Sequence, residues 1–238
     1  MPPVIGHRGA CGHAPENTLA SFRRAAGLGA RWVEFDVRLS RDGEAVLMHD
    51  DRLERTTDGA GRVAETDWAA LQTLDAGAWY GEEFRGTRIP LLRQTIFELA
   101  ALGLGANVEV KSDPGEGSAA GRIAANLLNA EWPAALPPPV ISSFDPECLN
   151  AARDAAPEFS RALAVTAIPD DWRTQLAELG CDALHCDHEH LTKGVARKVI
   201  DAGFMLRCFT VNRMARAATL LGWGVEAVIM DYPERMPR

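Results

Sequence analysis

Residues able to do chemistry gather in a few short stretches of this chain: His7-Arg8-Gly9, then Glu34, Asp36 and His49-Asp50, then Glu109 and Lys111. Glu34 and Asp36 are two apart, as are Glu109 and Lys111, and on a strand that spacing puts both members of a pair on one face. Three carboxylates brought into a partly desolvated place repel one another unless a cation lies between them. Oxygen donors without cysteine or histidine favour a hard divalent ion, so Mg²⁺ is expected first, with Ca²⁺ or Mn²⁺ as alternatives. The bland alternative leaves the three as solvated strand-edge charges or as partners of Arg8 and Lys111. Imidazole as a group exchanges protons near neutral pH, so of His7 and His49 one can accept a proton while the other donates one. Arg8 and Lys111 offer a guanidinium fork and an ammonium to an anionic group such as a phosphate. Together these residues predict metal-assisted attack at phosphorus.

Side chains so far apart in sequence meet only if the fold brings strand ends together. Short apolar runs with strand character recur at 4–9, 32–39, 44–49, 106–111, 140–144, 161–166, 183–187, 205–211 and 225–231. From 106 onward helical periodicity follows each run, as at 147–156, 171–179, 193–202 and 213–221, with Gly180, Gly203 and Gly222 as expected helix C-caps. Strand and helix in alternation predict a parallel sheet with crossovers. The 44–49 run reads as the return arm of a two-residue hairpin at Asp42-Gly43, and the other eight close a (β/α)8 TIM barrel, an α/β fold. In such a barrel the C-terminal strand ends carry the site, and the polar residues named above fall there. Residues 51–90, rich in Thr, Asp, Gly and Arg, read as a small insertion after the second strand and its hairpin, within a single domain spanning 1–238.

With 238 residues, 47% of them hydrophobic, the chain is long enough for a substantial core, and no apolar run reaches the ~18 residues of a membrane span. A formal net charge of -8 argues against general nucleic-acid binding, which needs a basic face. The start of the chain lacks a secretory signal, so a cytoplasmic location is expected, with no stable membrane association and a monomer or homodimer as the assembly. Five scattered cysteines read as reduced thiols. Cys186, His188 and His190 alternate as on one strand face, but no second ligand pair follows, so zinc is not expected there. Glu16 and Asn17 read as pins for the loop behind His7 and Arg8, Ser143 and Asn212 as support at strand ends, and Trp79 and Tyr80 as filling for a small core in the insertion.

The motifs HRGACGHAPENT, VEFDVRLSRDGEAVLMHDDRLERTTDG, NVEVK, FTVN and MDYP resemble those of the glycerophosphodiester phosphodiesterase family over essentially the whole chain. The resemblance is greatest to the cytoplasmic bacterial enzymes associated with glycerol-phosphate uptake. It implies a barrel enzyme that hydrolyses a small-molecule glycerophosphodiester, such as glycerophosphocholine or glycerophosphoethanolamine, to sn-glycerol 3-phosphate and an alcohol. It also implies His7 and His49 as general acid and base, Glu34, Asp36 and Glu109 as metal ligands, and Arg8 and Lys111 as phosphate contacts. The family's route is attack by the glycerol 2-hydroxyl to give a cyclic phosphate that water opens, and its small insertion caps the pocket. Two positions depart from the pattern: Phe209 stands where tryptophan is frequent and forms an apolar wall to the substrate, and Met230 stands where threonine is usual. The rival expectations are a lysophospholipase D or phospholipase-type enzyme on the same barrel, and a non-catalytic phosphodiester-binding barrel.

Overall fold

Alternation in the sequence becomes alternation in space. In the computed structural model, which describes residues 1–236, β1 (Val4–Gly6) leads through α1 (Leu19–Gly27) to β2 (Trp32–Leu39), and the short β3 (Ala45–Leu47) folds back on β2. An irregular segment with the four-residue α2 (Trp68–Leu71) precedes α3 (Leu92–Leu102). There follow β4 (Gly105–Val110), α4 (Gly117–Glu131), β5 (Val140–Ser143), α5 (Pro146–Ala155), β6 (Ser160–Val165), α6 (Trp172–Leu179), β7 (Ala183–Asp187), α7 (Lys193–Asp201), β8 (Met205–Phe209), α8 (Met214–Gly222) and β9 (Ala227–Met230). Parallel strands run in the order β1-β9-β8-β7-β6-β5-β4-β2, and β1 pairs with β2 through Gly6 and Val33. That last pairing closes a (β/α)8 TIM barrel.

The pleat of β2 shows how the sequence builds both layers at once. Val33, Phe35 and Val37 pack outward in one core with Phe22 of α1 and Leu92, Ile96 and Leu99 of α3, whereas Trp32 belongs to the interior cluster with Ile5, Val140, Ala183 and Ile229. Phe35 is fully buried, 5.5 Å from the Phe22 ring, and sits between Glu34 and Asp36 in sequence. Its anchoring therefore fixes the aim of the two carboxylates; truncating such a side chain costs about 3–5 kcal/mol. Thr18, the last residue of the PENT stretch, caps α1 by accepting the Ser21 N–H at 3.2 Å.

Several local expectations are corrected. The hairpin is not a two-residue turn: Ser40 to Glu44 connect the arms, the Gly43 N–H bonds back to the Ser40 carbonyl at 3.0 Å, and Gly43 takes the left-handed φ of +82°. Only glycine adopts that φ readily, so a turn followed by a left-handed residue replaces the tighter connection. Gly222 is the last residue of α8, not its cap, and the left-handed position falls to Gly224. Strand β7 stops at Asp187, so His188 and His190 do not continue the face of Cys186, which packs outward against Cys208 at 3.9 Å. Residues 51–90 carry an aliphatic core of Leu53, Val63, Leu71, Ala76 and Ile89 together with Val46 and Met48. Trp79 is not part of it, being 42% exposed with its ring edge-on to Tyr80. Among the described residues no helix is long and apolar enough to cross a membrane.

Inside the barrel His185 of β7 and Arg207 of β8 are both buried, with His185 Nε2 3.0 Å from Arg207 Nη1, and Arg207 Nε donates to Glu226 Oε2 at 2.8 Å. The guanidinium can only donate, so Nε2 accepts and the imidazole is neutral. Burial, and then the Arg207 charge, hold its pKa well below the ordinary value. The unfolded chain therefore takes up a proton on this side chain below about pH 6.5 while the barrel does not, and stability falls as pH drops through that value. In His185→Gln this contribution is gone, so the stability advantage of the parent over the variant should shrink between about pH 7 and pH 5 in denaturant titrations. A pH-independent difference would show that His185 does not titrate on unfolding.

Candidate active site

Strand β1 ends at Gly6, and the next residues turn in the left-handed region, Arg8 at φ +48° and Gly9 at φ +91°. A side chain at residue 9 would place its Cβ 2.3 Å from Ser21 Oγ, so glycine is required, while Arg8 bears real backbone strain. Hydrogen bonds hold it there. The Arg8 N–H donates to Glu34 Oε2 at 3.0 Å, and the Arg8 carbonyl accepts from Ser21 Oγ at 2.8 Å and the Asn17 N–H at 3.2 Å. The turn thus carries His7 and Arg8 to the barrel mouth, where β2 presents its acidic pair.

Glu34, Asp36 and Glu109 offer oxygens within 4.8 Å of one another, and their exposures are 2%, 1% and 8%. Parallel pairing sets Asp36 beside Glu109 in register. Burial and then the negative neighbours Asp36 and Glu109 drive the Glu34 pKa well above its ordinary value. Asp36 goes the other way: burial opposes its charge, but Arg8 and Lys111 hold it well below the usual carboxylate range. Arg8 Nε lies 3.2 Å and Lys111 Nζ 3.4 Å from Asp36, and Lys111 also bonds Glu109. Burial alone would lower the Arg8 and Lys111 pKa values, yet these carboxylates raise both. Pairing with Arg8 and Lys111, the bland alternative, is therefore present, and it leaves three carboxylates facing two cations. Asn17 completes the frame, donating to Asp36 Oδ2 at 2.9 Å and accepting the Asp36 N–H at 3.0 Å.

Each histidine has a carboxylate at Nδ1. His7 Nδ1 lies 2.6 Å from Asp231 Oδ1, just beyond β9, and His49 Nδ1 lies 2.6 Å from Asp50 Oδ1, just beyond β3. Such a partner keeps the proton on Nδ1 and frees Nε2. The free Nε2 of His7 is 3.9 Å from Glu34 Oε2. Burial tends to raise the Asp231 pKa, but hydrogen bonds from His7, Cys11 and Asn212 bring it down to about 2. His49 is held by Arg38, whose Nε donates to its carbonyl at 3.0 Å, and burial pushes its pKa down.

All eight residues singled out from the sequence, His7, Arg8, Glu34, Asp36, His49, Glu109, Lys111 and Phe209, line one cavity of about 130 Å³, with Phe144, Thr210 and Ile229 completing its wall. Phe144 stands edge-on to Phe209 at 5.8 Å, and Lys111 Nζ is 5.2 Å from its centroid. None of the cavity's lining comes from 51–90; that segment, through Asp51, Arg52, Glu54 and Arg55, lines an adjoining hollow that shares His49. Met230, the second departure in the motifs, points into the outer core, so its side chain is remote from this chemistry.

A model of the family described as "Glycerophosphoryl diester phosphodiesterase family" matches residues 7–235. The chain belongs to this family. A glycerophosphodiester phosphodiesterase of Caldanaerobacter subterraneus is 32% identical to it over 239 residues, covering 98% of this chain and 95% of the relative. Among solved structures, a phosphodiesterase of Oleispira antarctica in complex with the product sn-glycerol-3-phosphate is 40% identical with a TM-score of 0.96, covering 99% of this chain and 95% of that one. The glycerophosphodiester phosphodiesterase of Agrobacterium tumefaciens is 27% identical with a TM-score of 0.79, covering 98% of each chain.

Two residues of this family member went unassigned by sequence reasoning. Asp231 carried a signal, an acidic residue at the end of the last strand, but its partner is 224 residues away. Arg55 carried none, as one of many charges in the insertion. Its guanidinium donates to both oxygens of Asp50, at 2.5 and 3.0 Å, and to both of Glu16, at 2.7 and 2.8 Å. Glu16 in turn accepts from Arg8 Nη1 at 2.6 Å. Glu16 is therefore a pin as expected, and one chain of contacts runs from His49 through Asp50, Arg55 and Glu16 to Arg8 and Asp36. Hydrogen bonds from Arg55 head the causes that lower the Asp50 pKa, and they outweigh burial together with Arg8 at Glu16. Arg55→Ala should therefore raise both carboxyl pKa values in an NMR titration; a rise confined to Asp50 would break the chain at Glu16.

Proposed function

We propose that this chain hydrolyses glycerophosphodiesters, glycerophosphocholine and glycerophosphoethanolamine among them, to sn-glycerol 3-phosphate and an alcohol, with a divalent ion bound by Glu34, Asp36 and Glu109. One observation carries the reading: two imidazoles, each held at Nδ1 by a carboxylate, line the same small cavity as the carboxylate trio and the two cations. Family membership supports the reaction class, and the product bound by the Oleispira relative supports glycerol phosphate as the part recognised. The chain is read as one barrel domain, with 51–90 as an insertion standing over the glycerol or alcohol side of the pocket.

The donor set fits a hard cation. Three buried carboxylates outnumber Arg8 and Lys111, and Glu34 bears the excess as a raised pKa, which a dication would relieve. Oxygen donors alone favour Mg²⁺, with Ca²⁺ or Mn²⁺ as alternatives. When bound, the ion polarises a phosphoryl oxygen and neutralises developing charge. Arg8 and Lys111 bind the phosphate. One histidine takes the proton of the glycerol 2-hydroxyl through its free Nε2 as that oxygen attacks phosphorus, and the other, entering the step as the imidazolium, gives its Nε2 proton to the departing alcohol as its P–O bond breaks. Water then opens the cyclic phosphate with the two imidazoles exchanging roles. Asp231 and Asp50 hold the imidazoles in the required tautomer, and Phe209 with Phe144 gives the substrate an apolar wall.

The test is enzymatic measurement of sn-glycerol 3-phosphate released from glycerophosphocholine and glycerophosphoethanolamine. Chelation should abolish release and Mg²⁺ restore it; full activity after exhaustive chelation would overturn the metal assignment. His7→Ala and His49→Ala should each lower kcat by about 10²–10⁴-fold with the far-ultraviolet circular dichroism unchanged, as expected for loss of a proton-transfer group. Undiminished turnover in either variant would remove that histidine from the mechanism.

A further inference from the structure

We propose that His7, Cys11 and Asp231 form a second metal site, inhibitory and selective for thiophilic divalent ions such as Zn²⁺. Cys11 Sγ lies 3.0 Å from Asp231 Oδ1 and 3.7 Å from His7 Nδ1, and the latter two atoms are 2.6 Å apart. A thiol, an imidazole and a carboxylate thus converge in a triangle whose donor atoms all lie within 4.8 Å. Zinc bonds of about 2.0–2.3 Å in a tetrahedron separate the donors by roughly 3.3–3.8 Å, so the sulfur and nitrogen already stand at the right spacing. Only the Asp231 oxygen has to withdraw, by less than about 1 Å, leaving the fourth position for water.

The exchange balances. Two protons now occupy the triangle, one on the Cys11 thiol, where burial and Asp231 push the pKa up, and one on His7 Nδ1. The thiol proton leaves to solvent as the dication enters and the His7 proton moves from Nδ1 to Nε2, so one proton is released and the cluster gains one positive charge, and a metal-bound thiol is deprotonated outright. The imidazole of His7 then keeps its single proton on Nε2, the nitrogen that faces Glu34. An N–H there cannot accept a proton from substrate, and the ring is locked by its metal bond. The acidic trio on the other side of the ring offers oxygen alone, so the two sites sort ions by softness, hard ones to the carboxylates and thiophilic ones to Cys11. The other four cysteines are buried, which makes Cys11 the accessible thiol among the described residues.

The inhibitory consequence rests on the proposed role of His7, whereas the site itself does not, and Co²⁺ separates the two. Added to the full chain in excess Mg²⁺, Co²⁺ should produce a thiolate-to-cobalt charge-transfer band that Zn²⁺ displaces and that is absent from both Cys11→Ser and Cys11→Ala. With Mg²⁺ saturating, Zn²⁺ should inhibit the parent, and each Cys11 variant should require at least about tenfold more Zn²⁺ for half-inhibition of its own activity, the lower end of what disturbing a metal ligand's surroundings costs. No band in the parent, or equal inhibition of parent and variants as expected if Zn²⁺ merely displaces Mg²⁺ from the carboxylates, overturns the proposal. A Cys11-dependent band in a chain that hydrolyses no glycerophosphodiester upholds the site and sinks the proposed function instead.

Discussion

Three carboxylates held together out of water are the constraint around which the mouth of this barrel is arranged. Glu34, Asp36 and Glu109 are buried, and desolvation alone would push Glu34 and Asp36 toward protonation. Arg8 and Lys111 oppose that, and their reach requires a strained left-handed Arg8 and a lysine just past the end of β4. The strain at Arg8 is offset by its backbone bonds to Glu34, Ser21 and Asn17, so the turn, the first helix and the second strand form one unit. Loosening any of them exposes the others to the repulsion it restrains.

The two histidines solve one problem in two ways. His7 is backed by Asp231, which Asn212 holds from both sides, donating through Nδ2 at 2.5 Å and accepting the Asp231 N–H at 2.9 Å. His49 is backed by its neighbour Asp50, which needs Arg55 from the insertion to keep its orientation. One pair is built into the barrel frame and the other into the hairpin and insertion. The insertion thus contributes to the site through Arg55 while leaving the inner cavity wall to the barrel and the hairpin.

Much of this site was legible in the chain before folding, for a local reason. Residues two apart on a strand share a face whatever the surrounding fold, so the pairing of Glu34 with Asp36 followed from spacing alone. Strand and helix periodicities alternate plainly enough to predict a closed parallel barrel, and the barrel puts the C-terminal strand ends at one mouth. The hairpin and the end of α8 were misjudged by a few residues because glycine marks a left-handed position without saying which neighbouring residue the chain will place there.

What the tertiary structure alone decided is which partner stands behind each functional group. Asp231 meets His7 only because β1 and β9 are neighbours around the ring, and β1 meets β2 only because the ring closes. Arg55 finds Glu16 across 39 residues because the insertion folds on its own aliphatic core and returns to the mouth. Identity and spacing along a strand are properties of the covalent chain, so the sequence by itself determined the chemistry available. Proximity between strand ends is a property of register and closure, so only the folded barrel determined how that chemistry is held.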